Sequence, residues 1–324
     1  MALDLLVATC LMGFIATPHV VPLHRVAPVS AAAVWVLALC LRALVASTTA
    51  VYMLVYLPQS PHFVGAADWC LHAALPVASI HFHVPGLRVA HGIAVIPALA
   101  LAASMVWAGF ELLRARLYAL RLVRRSAIGT GPMGSTVLAS EEVVLAVTRV
   151  GPARLLVSGP ALVTFDDEEL TAGLQHELGH LRRAHRPILF VASVLRALAR
   201  WLPGTATAYR ELCFSLERDA DEYALRQTRN PLALASAICK TAIAQTQAAP
   251  MMGLRGQSGT TLRLEYLLAG GCQRAGTRVE RATRLLATLM LAVTLFLAIA
   301  APVWAMARPG TLPHIPGSAG WNCP

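Results

Sequence analysis

The sequence predicts a mainly α-helical integral membrane protein, with four transmembrane helices and one cytoplasmic α+β domain. Of its 324 residues, 56% are hydrophobic and only 14% are charged, a balance too apolar for an ordinary soluble protein. Four apolar stretches reach the roughly 20 residues that a helix needs to cross the hydrocarbon core. About 170 residues separate the third stretch from the fourth, which is enough for a domain with a core of its own.

The four apolar stretches predict the transmembrane helices. They are Leu3 to Val21, Val29 to Leu57, Val89 to Leu113 and Leu285 to Met306. The first begins with Asp4 and without a basic residue, so we expect an uncleaved span, with a cleaved signal peptide as the alternative. The predicted divisions are a membrane region over 1–113, a domain over 114–284, a fourth span over 285–306 and an extracytoplasmic tail over 307–324.

Arginines beside the spans predict the orientation, because short cytoplasmic loops are enriched in basic residues. They follow the third span and precede the fourth, so the domain is expected in the cytoplasm and 58–88 outside; these arginines are Arg114, Arg116, Arg121, Arg124, Arg125, Arg274, Arg278, Arg281 and Arg284. The net charge of +10 is therefore expected to face anionic lipids of the bilayer, and nucleic-acid binding is not expected. The 26 arginines against one lysine indicate a GC-rich bacterial genome.

Other residues of the predicted membrane region leave their roles open. The seven cysteines contain no C-x-x-C pair, and Cys70 and Cys323, both expected outside, either form a disulfide or remain separate thiols. Arg42 lies inside the second apolar stretch, where we expect its side chain to snorkel toward the cytoplasm. Outer-loop histidines suit a metal or pH sensor, or are simply solvated: His62, His72, His81, His83 and His91.

Within the predicted cytoplasmic domain, turn and capping residues mark the elements. Gly129 to Ser135 is expected to be a linker, and short strands are expected in Val143 to Val150 and Ala153 to Phe165. Asp166, with Glu169 three residues later, predicts the start of a helix that ends before Pro187. Further helices are expected over 205–228 and from Pro231, and Met251 to Thr261 is expected to be a loop.

One motif in this domain indicates metal chemistry. His176-Glu177-Leu178-Gly179-His180 is an H-E-x-x-H sequence on the helix predicted after Asp166. Residues four apart lie on one side of a helix, so both imidazoles can reach one zinc ion, with Glu177 beside them as general base. A zinc ion held there acidifies a water molecule, and the fold expected is that of a zincin-like metallopeptidase domain. A pair of histidines on a surface helix is the alternative.

A catalytic zinc needs a third protein ligand, and the sequence offers Glu217. The helix over 205–228 has Arg218 on its expected solvent face and Glu217 on its flank, where a carboxylate needs a partner. Asp221, one turn later, is placed to accept a hydrogen bond from a ligand histidine. His185 is turned about 140° away from His180, so we expect a surface or capping residue. The alternative is that Glu217 and Asp221 only form salt bridges with Arg182, Arg183 or Arg218.

The segments HELGHLRRAH and LERDAD resemble the BlaR/MecR-type integral membrane zinc metallopeptidases, as does the order of three spans, domain and fourth span. The resemblance implies that His176, His180 and Glu217 bind zinc, that Glu177 is the catalytic base and that Asp221 supports the site. It also implies a protein substrate, with a transcriptional repressor in signal transduction as one candidate. Only about 18 residues follow Met306, so neither a C-terminal penicillin-binding sensor nor direct β-lactam binding is expected. Lys240, the single lysine, fits neither S-x-x-K nor a P-loop.

Two other functions stay open at this point. Ste24/HtpX-type membrane quality-control proteases also carry H-E-x-x-H and a later Glu followed by Asp, but the HtpX type typically has two spans between them. Ile188 to Leu202, about 15 apolar residues, is too short for that. A non-proteolytic signalling receptor with a structural metal site is the second alternative, although such a site has no need of Glu177. Tyr209 and Tyr223 are candidate oxyanion donors that their spacing does not separate.

Overall fold

The computed structural model describes residues 11, 13–74, 86–147, 154–248, 257–268 and 277–307. Over these residues the chain is mostly helical with one small sheet, as predicted. The chain forms two compact units, one of residues 1–43 with 104–290 and another of 44–103 with 291–324. All residues of the predicted metal site belong to the first unit.

The described helices and strands are, in chain order, α1 (13–20), α2 (Pro28–Val55), α3 (Pro61–Ala74), α4 (Gly86–Ser126), β1 (Ala127–Thr130), β2 (Thr136–Leu138), β3 (Leu145–Val147), β4 (Leu155–Ser158), α5 (Gly159–Thr164), α6 (Asp167–Arg182), α7 (His185–Leu198), α8 (Thr205–Thr228), α9 (Pro231–Ala248), α10 (Gln257–Leu268) and α11 (Thr277–Ala307). Short 3₁₀ turns join several of them. The long helices α2, α4 and α11 contain the apolar stretches. Along the chain, the four strands and helices α5 to α10 come after α4 and before α11.

Three of the described helical segments are long and apolar enough to cross a membrane, on the grounds of length and composition. They are Pro28–Gln59, His91–Tyr118 and Arg278–Ala300. They coincide with the second, third and fourth predicted spans, although crossing a membrane stays a prediction. Residues 3–10 and 12 of the first predicted span, together with His81, His83 and Cys323, lie outside the described residues, and so does the possible disulfide between Cys70 and Cys323.

Arg42 does not snorkel along α2, and that prediction was wrong. Its side chain is only 1% exposed and is held by groups of the same unit. One terminal nitrogen donates to the carbonyl of Ile15 at 3.0 Å and lies 2.8 Å from Nε2 of His19, and the other donates to the carbonyl of Ala38 at 3.2 Å. Because α1 supplies acceptors at this depth, the guanidinium has no need to reach the aqueous phase.

The first part of α2 packs against α7 and α8 in one apolar core. Val34 and Trp35 of α2 and Leu212 and Leu216 of α8 are buried there. This packing explains why Arg218 is 3% exposed and does not lie on a solvent face, contrary to the prediction. Its guanidinium donates to the carbonyl of Val26 at 3.2 Å and stacks over the ring of Tyr266. The predicted solvent face of α8 is therefore covered at Arg218, although Glu211 and Arg226 are exposed.

The sheet has the strand order β1-β2-β4-β3, with β2 and β4 parallel and the other pairs antiparallel. β3 is therefore an edge strand. The predicted linker over 129–135 is wrong, because β1 and β2 pair across a short turn there. Strands were predicted correctly at β3 and β4, but residues 159–164 form α5. Ser158 caps α5 by accepting from the backbone N–H of Ala161, and Pro160 suits its first turn.

The sequence signals for α6, α8 and α9 are confirmed. Asp166 accepts a hydrogen bond from the backbone N–H of Glu169 at 2.8 Å, and the Glu169 carboxylate accepts from the backbone N–H of Asp166 at 3.0 Å. This reciprocal capping box fixes the start of the helix that carries the two histidines. Glu169 also accepts from Ser236 and Lys240 of α9, which ties α6 to α9 beside the sheet.

Candidate metal centre

The backbones of α6 and α8 touch at Gly179, the glycine between the two histidines of the motif. A Cβ at this position would lie 3.2 Å from Cα of Ala220 and 3.3 Å from its carbonyl oxygen. Such contacts are tighter than most that a Cβ makes, so a side chain here would require the backbone of α8 to shift by a few tenths of an ångström, and glycine allows the close approach without that shift. Glu217, one turn before Ala220 on α8, is thereby brought to the histidine face of α6.

This approach brings together the three residues predicted as metal ligands. Nε2 of His176 lies 3.2 Å from Nε2 of His180 and 3.4 Å from Oε2 of Glu217, and Nε2 of His180 lies 3.6 Å from Oε1 of Glu217. In a tetrahedral zinc site with bonds near 2.0–2.1 Å, ligand atoms lie roughly 3.3 Å apart. The three residues therefore form a group that could hold a metal ion, and their spacing fits zinc.

Asp221, predicted as a supporting residue, lies beside His176 on the side away from Glu217. It is fully buried, and its Oδ1 is 2.9 Å from Nδ1 of His176, the ring nitrogen opposite the one that faces Glu217. A carboxylate at this position fixes the orientation of a ligand imidazole and makes it a better donor to a metal.

Arg263 of α10 also belongs to this site, and the sequence analysis missed it. Its guanidinium donates to both oxygens of Asp221 at 2.8 and 2.7 Å and lies 3.0 Å from Oε2 of Glu217. The basic partners considered from the sequence, Arg182, Arg183 and Arg218, do not make these ion pairs. Residues 251–261 were expected to form a loop, but α10 begins at Gln257 and carries Arg263 on its second turn. The sequence analysis therefore did not assign Arg263 to a helix. Residues 251–256 lie outside the described part.

The formal charges at the site favour a divalent cation. Glu177, Glu217 and Asp221 contribute three carboxylates and Arg263 contributes one guanidinium, so the group carries a net charge of −2 when its histidines are neutral. Buried carboxylates are costly without a compensating positive charge. A divalent ion bound by His176, His180 and Glu217 would neutralise the site.

The carboxyl group of Glu177 has an unusual environment. It lines the same cavity as the three ligands and as Val147 of β3. Burial raises the pKa of Glu177 to about 7; positive His176 opposes the rise, and the neighbouring Glu217 carboxylate adds to it. A carboxyl group with this pKa can both accept and return a proton near neutral pH.

The two histidines differ in proton affinity. Burial opposes protonation of His176, but the Asp221 and Glu217 carboxylates outweigh it and raise the pKa of His176 to about 10. Burial lowers the pKa of His180 to about 4, against the attraction of Glu217 and with the help of positive His176. Although burial disfavours the carboxylate form of Glu217, the adjacent His176 and Arg263 hold its pKa well below the usual value.

His185 is buried beside His180, so its prediction as a surface or capping residue was wrong. The side chain is 2% exposed; its Nδ1 lies 2.9 Å from Nδ1 of His180, and its Nε2 lies 3.0 Å from Oδ2 of Asp219. The prediction assumed one continuous helix. Ala184 instead adopts a left-handed conformation, with φ of 53°, which ends α6 and turns His185 back toward the site.

The cavity beside these groups has a volume of about 420 Å³, a size that accommodates side chains of a bound peptide. β3 forms one wall, and α7, α9 and α10 form the others, with Leu189, Leu234, Ile238 and Arg263 among the lining residues. Neither candidate oxyanion tyrosine lines it. The hydroxyl of Tyr209 lies 3.2 Å from Oγ of Ser193, and Cβ of Tyr223 packs against Gly179.

We compared the chain with protein families, curated proteins and solved structures. No protein-family model, curated protein or solved structure matches it.

Proposed function

We propose that this protein is a membrane-bound zinc endopeptidase that cleaves a cytoplasmic or membrane-proximal protein. The observation that supports this most strongly is the tetrahedral spacing of His176, His180 and Glu217 beside the buried carboxyl group of Glu177. Three protein ligands leave a position open for water, which is typical of catalytic zinc and untypical of structural zinc.

In this proposal, bound zinc supplies the Lewis acid that acidifies water and polarises the peptide carbonyl. The Glu177 carboxylate accepts a proton from the attacking water, whose oxygen bonds to the peptide carbonyl carbon. Glu177 then passes this proton to the amine nitrogen that leaves when the C–N bond breaks. Its pKa near 7 suits both transfers. Arg263 keeps Glu217 and Asp221 ionised, and Asp221 keeps the ring of His176 aligned with Glu217.

The substrate is proposed to bind as an extended strand along β3. This strand is at the edge of the sheet, pairs with β4 on one side and lines the cavity with Leu145, Ala146 and Val147. A peptide added to an edge strand gains main-chain hydrogen bonds without a particular sequence. Since Val147 and Glu177 line the same cavity, the same strand would place a peptide bond close to the base.

The resemblance to BlaR/MecR-type metallopeptidases remains part of the proposal. It is supported by α7, which is a single 14-residue helix between the two motifs and is shorter than one membrane span. The HtpX type typically has two spans in this interval. A transcriptional repressor is the candidate substrate, and the bilayer would hold the enzyme through α2, α4 and α11.

The test is cleavage of casein and of candidate repressors by the full chain purified in detergent. We expect the wild type to cleave, and Glu177→Gln to retain zinc but lose at least about a hundredfold in rate, because the base is removed while the ligands remain. Glu211→Gln, which changes an exposed carboxylate on α8, is the matched control and should cleave normally. Wild-type-like cleavage by Glu177→Gln, or zinc binding without cleavage of any protein, would favour the receptor function.

A further inference from the structure

A chain of buried polar groups extends from His180 away from the proposed metal position. Nδ1 of His180 faces Nδ1 of His185, Nε2 of His185 faces Oδ2 of Asp219, and Oδ1 of Asp219 accepts from Arg183 at 2.9 Å. Its two central residues, His185 and Asp219, are almost fully buried. It contains neither Asp221 nor Arg263, which support His176 on the other side of the site.

Hydrogen-bond chemistry allows one arrangement of protons in this chain when the Nε2 lone pair of His180 is directed at a metal. A neutral His180 then carries its proton on Nδ1, which must donate to His185. His185 must accept on its Nδ1, so its own proton is on Nε2 and is donated to Asp219. Arg183 donates to the remaining oxygen of Asp219, so each contact has one donor and one acceptor.

We propose that His185, held by Asp219, is the positioning residue that fixes the ring orientation and tautomer of His180 for metal binding. Without an acceptor at Nδ1, the proton of His180 would be buried without a partner, or would shift to Nε2 and block the ligand position. A carboxylate or carbonyl group commonly accepts from a metal-bound histidine. Here a second histidine accepts the hydrogen bond, and Asp219 in turn orients that histidine.

The backbone supports this role for His185. Residue 184 interrupts what would otherwise be one helix, and it does so in the left-handed region, which is unfavourable for a non-glycine residue. The interruption places the His185 side chain next to His180, whereas a continuous helix would turn it about 140° away. The strained residue, Ala184, thus immediately precedes His185, which contacts the proposed metal ligand His180.

This inference rests on the proposed zinc site, so its test measures zinc affinity and not activity alone. The full chain in detergent is titrated with zinc against a chelator, as wild type, His185→Leu, His185→Gln and Asp219→Asn. We expect His185→Leu to weaken zinc binding about 10- to 100-fold, the range typical of lost outer contacts. His185→Gln restores an acceptor and should return to within about threefold of wild type, and Asp219→Asn should lose about three- to tenfold.

The control is Thr205→Val, which removes a buried hydrogen bond to the carbonyl of Ala199 away from the site and should leave zinc affinity unchanged. Wild-type zinc affinity in His185→Leu overturns the proposal. Equal weakening of zinc binding by His185→Gln and His185→Leu also overturns it. Such a result would mean that His185 only fills space, because the hydrogen-bond acceptor of glutamine would then have no effect. Failure of the wild type itself to bind zinc overturns the metal site and the proposed function with it.

Discussion

His176 and His180 lie one helical turn apart, yet their neighbours give them opposite proton affinities. Asp221 and Glu217 surround His176 with negative charge, and its pKa rises to about 10 although burial opposes this. Burial lowers the pKa of His180 to about 4, against the attraction of Glu217, and the positive His176 adds to the fall. At pH 7 the metal-free site therefore holds one imidazolium and one neutral imidazole, and the proposed zinc ion would have to displace the proton of His176.

Zinc affinity should consequently increase with pH. Protonated His176 cannot coordinate zinc, so each unit of increase from pH 7 toward its pKa of about 10 should strengthen binding about tenfold, and the dependence should disappear above that pKa. Competition titrations between pH 7 and 8, corrected for protonation of the chelator, measure the slope. Asp221→Asn should flatten this slope by lowering the pKa of His176. Asp167→Asn, an exposed change on α6, the helix that carries His176, should leave the slope unchanged. A slope of zero in the wild type would contradict this account of His176.

Arg263 should matter more for stability than an exposed arginine does. Arg263→Met leaves Asp221, which is fully buried, without its bidentate partner, and breaking a buried ion pair costs about 3 kcal/mol or more. We expect a clear fall in the thermal unfolding midpoint with chelator present and a smaller fall with zinc, because the ion compensates the carboxylates.

Arg226→Gln provides the matched comparison for Arg263→Met. Arg226 pairs with Glu222 on the exposed side of α8, and such a pair contributes only about 0.5 kcal/mol. Its unfolding midpoint should stay close to that of the wild type in both conditions. Equal effects of the two substitutions would mean that Arg263 has no special role.

At the scale of the elements, the close contact of α6 with α8 determines whether the ligands meet. Gly179→Val would force the backbones apart, since a Cβ already lies 3.2 Å from Cα of Ala220. Because Glu217 would move with α8, we expect zinc affinity to fall at least about tenfold even where the protein folds.

The control for this change is Gly173→Ala on the same helix. A Cβ at residue 173 would meet only the flexible end of the Leu145 side chain at 3.4 Å, and alanine also favours a helix by about 1 kcal/mol over glycine. Gly173→Ala should therefore bind zinc as the wild type does. Wild-type zinc affinity in Gly179→Val would show that the helix contact does not set the ligand spacing.

Sequence reasoning succeeded where the signal is local. The capping box of Asp166 and Glu169 located α6, and helical periodicity then placed His176 and His180 on one face. It failed where a single backbone conformation or a distant element determines the position of a side chain. The left-handed Ala184 redirects His185, and Val26 with Tyr266 covers Arg218, neither of which periodicity can indicate. Arg263 was missed for the same reason, because only tertiary packing brings α10 to the site.

At the scale of the whole molecule, three long apolar helices predict a membrane anchor. The described parts of α4 and α11 leave most of their apolar surface exposed, including Trp107, Phe110, Phe296 and Ile299. Exposed surface of this kind is unfavourable in water and favourable in lipid. The first part of α2 differs, because the same polypeptide unit that contains the metal site packs around it.

The predicted orientation can be measured with fusions to a reporter that is active only outside the cytoplasm. Alkaline phosphatase joined after Gly65 should be active, and the same enzyme joined after Glu168 should be inactive, because the arginines beside the spans retain the domain inside. A fluorescent protein that folds only in the cytoplasm should give the reverse pattern. Activity of the phosphatase at Glu168 would place the domain on the opposite side.

The central claim is that His176, His180 and Glu217 bind a catalytic zinc ion, and X-ray absorption spectroscopy of the zinc-loaded full chain tests it most directly. The account predicts one zinc per chain, with two imidazole ligands, about two oxygen ligands at 2.0–2.1 Å and no sulfur. Glu217→Ala should lose the zinc or replace the carboxylate by water. Coordination by sulfur, by four imidazoles or by oxygen alone, or a purified protein that binds no zinc, would contradict the claim.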